Sequence, residues 1–77
     1  MNLKLLKKNL TEIDIDNKRV LFSYRTPVAY YENGKFYKTT RYWSKTTSRH
    51  INSWQKDCYI APHEAIEIDQ SILDNLL

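Results

Sequence analysis

Val28-Ala29-Tyr30-Tyr31-Glu32-Asn33-Gly34-Lys35-Phe36-Tyr37-Lys38-Thr39-Thr40 is the stretch that decides how this chain folds. Asn-Gly supplies two residues that adopt positive φ, the requirement of a type I′ turn whose twist suits a two-residue hairpin. With Asn33-Gly34 at the turn, Glu32 faces Lys35, Tyr31 faces Phe36, Tyr30 faces Tyr37 and Ala29 faces Lys38. Side chains alternate along a strand. Val28, Tyr30, Glu32, Lys35, Tyr37 and Thr39 therefore share one face, and Ala29, Tyr31, Phe36, Lys38 and Thr40 the other. Both faces are aromatic, and one layer of helix covers only one of them.

Upstream, Val20, Phe22 and Tyr24 alternate with Leu21, Ser23 and Arg25, which reads as a further strand with an aromatic face. Pro27 cannot donate to a ladder and marks a break or the start of the next strand. Leu3, Leu6 and Leu10 fall at helical spacing, so residues 3–10 read as a short amphipathic helix. Thr11 to Asp16 alternates and reads as a short strand or extended lead-in, with Asn17-Lys18 a turn. Downstream, Ser44-Lys45-Thr46-Thr47-Ser48 is rich in N-cap residues and opens a helix over about residues 47–56. Its apolar stripe carries Thr47, His50, Ile51, Trp54 and Cys58. Residues 62–67 are ambiguous between extended chain and helix start. Asp69 or Ser71 can cap a last short helix bearing Ile72, Leu73, Leu76 and Leu77.

These readings predict a small α+β domain spanning 1–77. A three-stranded antiparallel sheet, at about 19–25, 27–32 and 35–41, packs on one main helix, and short terminal helices complete the core. At 77 residues the core is small, and a homodimer would enlarge it. The lone Cys58 rules out an intrachain disulfide framework and fits a reducing compartment. No apolar stretch approaches the roughly 18 residues needed to cross a bilayer, and the N-terminus lacks the h-region of a signal peptide. A cytoplasmic location follows as an expectation, with no membrane partner.

Charge is distributed unevenly. Residues 19–56 hold eight Lys/Arg against one acid, Glu32, and nine of the ten aromatic residues. From Asp57 onward there are five acids and no Lys or Arg. The basic, aromatic module at 19–56 suggests an anionic partner, nucleic acid or the anionic surface of a host protein. The acidic segment at 57–77 is either a solvated surface or a strip that folds back on the basic middle.

Ser23-Tyr24-Arg25-Thr26-Pro27-Val28-Ala29 and Trp43-Ser44-Lys45-Thr46-Thr47-Ser48-Arg49-His50-Ile51-Asn52 resemble the two motifs of a small domain family of unknown function found in bacteriophage and archaeal-virus proteins. The resemblance covers roughly residues 20–55. It implies a viral origin, and hence the host cytoplasm, but no activity. It also leaves the N-terminal lead and the acidic end as features particular to this protein.

Several residues are candidates for binding. The helix start at 44–49 carries unpaired N–H groups and is flanked by Arg41, Lys45 and Arg49, so Thr47 and Ser48 either cap the helix or help hold an anion. Arg25, Lys38 and Lys56 extend the positive surface, and Tyr31 and Tyr37 could stack bases. His50, on the apolar stripe, reads as a buried, hydrogen-bonded histidine rather than a catalytic base. His50, Cys58, His63 and Glu64 lack the paired spacing of a structural zinc site. No nucleophile–base–acid set and no Gly-rich phosphate loop is present, so neither a catalytic residue, a metal nor a cofactor is expected. The function expected is non-enzymatic binding by a viral accessory protein. The alternative is a protein–protein inhibitor of a host defence or host enzyme, acting as a dimer, with the aromatic surface as its hot spot.

Overall fold

A computed structural model describes residues 2–76. Six strands form one sheet in the order β1 (Asn2–Lys7), β2 (Leu10–Ile15), β3 (Lys18–Ser23), β4 (Thr26–Glu32), β5 (Lys35–Thr39) and β6 (Ala65–Ile68). The first five form an antiparallel meander, and β6 runs parallel to β5. A parallel neighbour needs a crossover, and helix α1 (Lys45–Asp57) supplies it, followed by a single 3₁₀ turn at Pro62–Glu64. Helix α2 (Gln70–Asp74) closes the chain and lies against β4.

The expected three-stranded sheet is thus replaced by a mixed six-stranded one carrying two short helices. The terminal segments account for the difference. Residues 3–10 are strand, turn and strand rather than helix, with Asn9 at φ 63° in the turn. Two turns of isolated helix are marginal in water. The competing alternation of Leu3 and Leu5 with Lys4 suits an edge strand, and pairing with β2 stabilises it. Ala65-Ile66-Glu67-Ile68 also alternates and adds to β5 in parallel register. Helix α2 begins where expected, with the Asp69 side chain accepting from Ser71 N–H; Leu77 lies outside the described residues.

The central hairpin has the predicted register, Glu32↔Lys35 through Ala29↔Lys38, with Asn33 and Gly34 at φ 52° and 77°. One departure from strict alternation matters for the core. Leu21 pairs with Ala29 but Phe22 with Pro27, so Val28 is the extra residue of a β-bulge. The bulge turns Val28 into the cluster of Leu10, Leu21, Ala29, Phe36, Ile51 and Trp54, all on the α1 side of the sheet. Phe36 and Trp54 meet at 5.4 Å between ring centroids, tilted by 48°, a pairing worth about 0.5–1.5 kcal/mol beyond area burial. Trp54 Nε1 donates to Glu12 Oε1 at 2.8 Å, which satisfies the indole and fixes α1 over β2.

The opposite face carries one cross-strand row through all six strands: Leu3, Ile13, Val20, Tyr30, Tyr37 and Ile66. Tyr30 and Tyr37 stack at 4.5 Å with 15° between their planes. Val20 and Leu73 are buried outside the α1-side cluster. Toward β1 the row opens to solvent, leaving Leu3 70% and Leu5 67% exposed.

Candidate nucleic-acid interface

Helix α1 starts as its sequence directs. Ser44 is the N-cap, and its Oγ accepts from Thr47 N–H at 3.1 Å. The Ser44 hydroxyl also donates to Thr47 Oγ1 at 3.3 Å. Thr47 is buried, and its Oγ1 lies 3.0 Å from Ser23 Oγ at the end of β3. Ser23 Oγ is also 2.9 Å from His50 Nδ1. The two sequence motifs therefore meet in one network, Ser44–Thr47–Ser23–His50. It joins the start of α1 to the β3–β4 turn, where Tyr24 sits at φ 60° with its ring 6.3 Å from that of His50. Thr47 thus has its side chain committed inside the fold, and His50 is half-buried beside it.

Capping the helix this way turns a fixed side of α1 outward. Ser48 and Asn52, one turn apart, line a trough whose far wall is formed by Lys38, Thr39, Thr40, Arg41, Tyr42 and Glu67. Its volume is about 250 Å³, and Ile51 lies at its base. Lys38 and Asn52 are shared with a second depression of about 400 Å³ that continues along the helix past Gln55, Lys56 and Ile60. Together they form one channel between α1 and the β5–β6 edge. Lys45, Asn52 and Lys56 fall at i, i+7 and i+11 with Arg49 between them, so a stripe of exposed cations borders it. The described ion pairs are Lys18–Glu32 at 3.7 Å and Arg19–Asp14 at 3.9 Å, and neither uses a cation of this channel.

Of the residues expected to bind, Lys38, Arg41, Ser48 and Lys56 therefore line one channel, with Lys45 and Arg49 on its helical border. The others lie elsewhere. Arg25 is exposed at the β3–β4 turn, beside Leu5, Asn9 and Thr11. Tyr31 faces α1 and lines a separate depression with Arg19, Trp54 and Cys58. Tyr37 is stacked under Tyr30 on the opposite face of the sheet.

Tyr42, Asn52 and Glu67 were not anticipated. Asn52 could have been found by its spacing from Ser48. Glu67 required the strand β6, which places it directly beside Lys38 in the register.

Burial, and then the nearby Glu12 charge, pushes the Cys58 thiol up, which keeps it protonated and unreactive at neutral pH. Among the described residues no cluster of three His, Cys, Asp or Glu could hold a metal ion. No described helix is long and apolar enough to cross a membrane.

The chain belongs to DUF8033, a family of unknown function. The match runs over residues 1–75 and so includes β1 and the acidic β6, rather than the middle alone. The acidic end is therefore not an appendage to the family's domain. Its Glu67 lies in the same sheet as the basic hairpin. Neither a curated protein nor a solved structure matches the chain significantly.

Proposed function

We propose that this protein is a non-enzymatic binding module that holds nucleic acid in the channel between α1 and the β5–β6 edge. The observation that carries the reading is convergence. Lys38 and Arg41 from the end of β5, and Ser48, Asn52 and Lys56 from α1, line one concave surface without neutralising ion pairs among the described residues. Lys and Arg side chains make many of the phosphate contacts in protein–DNA complexes, and each neutralised phosphate releases counterions. Glu67 lies in the same wall and would limit how deeply a phosphate enters beside Lys38.

The two motifs resembling phage and archaeal-virus domains support a viral accessory protein working in the host cytoplasm. Fluorescence anisotropy of labelled oligonucleotides, titrated with the full chain at several salt concentrations, tests the reading. Affinity should fall as a straight line in log[salt]. No binding at low salt would overturn it.

A second reading is favoured by a different observation. The open end of the cross-strand row, Leu3 and Leu5 with Ile13, is apolar and exposed enough to form a protein interface. In that reading the protein inhibits a host defence protein or host enzyme, or pairs with itself, through a contact that depends only modestly on salt.

A further inference from the structure

Tyr42 lines the basic channel, yet its side chain is 69% exposed and makes no hydrogen bond or ring contact with a described residue. An exposed tyrosine alone would carry little. Its neighbours are what make it informative. The Arg41 guanidinium lies 4.3 Å from the Trp43 ring centroid, and Arg41 N–H donates to Thr39 Oγ1 at 3.0 Å. Trp43 Nε1 donates to Gln70 Oε1 at 3.2 Å, and the buried Gln70 donates in turn to the Pro27 carbonyl at 2.7 Å. Thr40 N–H is bound to the Ile68 carbonyl at 2.9 Å. The side chains on both sides of Tyr42 thus have partners of their own, although Trp43 is still 38% exposed, and Tyr42 is the ring at the channel wall that no described residue engages.

We propose that Tyr42 stacks one unpaired base of a single-stranded nucleic acid whose phosphates follow Lys38 and Arg41 along the channel. The inference rests on the nucleic-acid reading above and narrows it. A duplex offers phosphates and groove edges but keeps its base faces stacked inside, so an exposed ring beside the cations has nothing to pair with there. A single strand exposes those faces, and aromatic stacking is its usual, sequence-tolerant anchor. Arg41, held over Trp43, has a guanidinium whose freedom is already restricted, so holding a phosphate there costs less entropy. Asn52, across the channel, offers an amide to a base edge or sugar.

The test uses the full-length protein, a labelled oligothymidylate and a duplex of equal length. Three proteins are compared: the natural sequence, Tyr42→Ala and Tyr42→Phe. Tyr42 lies outside the core, so thermal melts of all three should coincide. The single strand should bind more tightly than the duplex. Tyr42→Ala should weaken single-strand binding by roughly 5- to 150-fold with an unchanged salt slope, because a stacked base and no phosphate contact is lost. Tyr42→Phe should bind as the natural sequence does. Duplex preference, or undiminished single-strand binding by Tyr42→Ala, overturns the stacking proposal and leaves the phosphate-binding channel standing. Absence of binding to either probe at low salt overturns both.

Discussion

Ser23 Oγ lies 2.9 Å from His50 Nδ1, joining the last residue of β3 to the second turn of α1. Ser23 is buried and also contacts Thr47, so its hydroxyl serves two partners from different elements. Ser23→Ala should cost about 1–3 kcal/mol, the penalty of stranding buried polar groups. Urea denaturation measures it. A loss below about 0.5 kcal/mol would mean that the network does not stabilise the fold.

The N-cap belongs to the same network. Ser44→Ala should cost about 0.5–2 kcal/mol, and Thr47→Ala a comparable amount. The double variant should cost less than the sum, because the two side chains bond each other. A double-mutant cycle by chemical denaturation reads the coupling.

Tyr24 holds φ 60°, a conformation that strains a side chain with a Cβ and that asparagine tolerates best. Both Tyr24→Asn and Tyr24→Ala lose the ring beside His50, so comparing them isolates the backbone contribution. The asparagine variant should be the more stable by about 1 kcal/mol in thermal melts. Equal stability would show that the turn relaxes.

Much of the sheet is legible from local chemistry, and these turns show why. Asn33-Gly34 sets the Tyr30–Tyr37 register because both residues accept positive φ without help from the rest of the fold. Ser44 and Asp69 mark their helices because a cap acts on N–H groups two or three residues away. The edge strands are hidden for the opposite reason. Leu3, Leu6 and Leu10 match a helical period while Leu3 and Leu5 match a strand's, and only pairing with β2 decides between them. Ala65–Ile68 becomes a strand through β5, which α1 brings alongside. The channel is the least local feature, since Lys38, Asn52 and Glu67 come from three elements and meet only after the crossover. The hairpin register puts Tyr37 and Tyr30 on one face, but which face α1 covers is not set by the local pattern.

Alkaline stability should report on Tyr30. Burial, and then the adjacent Tyr37 and Glu32, raise its pKa above the ordinary 10.0. A raised value in the folded state means that folding favours the protonated phenol. The contribution is fully present below the unfolded pKa and is lost as pH rises through the folded value. Melting temperature should therefore drop as pH rises above about 10, and Tyr30→Phe should flatten that drop. An unchanged slope in the variant would place the alkaline sensitivity elsewhere.

The account stands or falls on where an anionic strand touches the protein. Backbone amide chemical-shift mapping, with an unlabelled oligothymidylate added at low salt, locates that contact directly. The largest changes should fall on Lys38, Arg41, Tyr42, Ser48, Asn52 and Lys56, with Leu3, Ile13 and Ile66 unaffected. Changes centred on the Leu3–Ile66 row, or none at all, would contradict it.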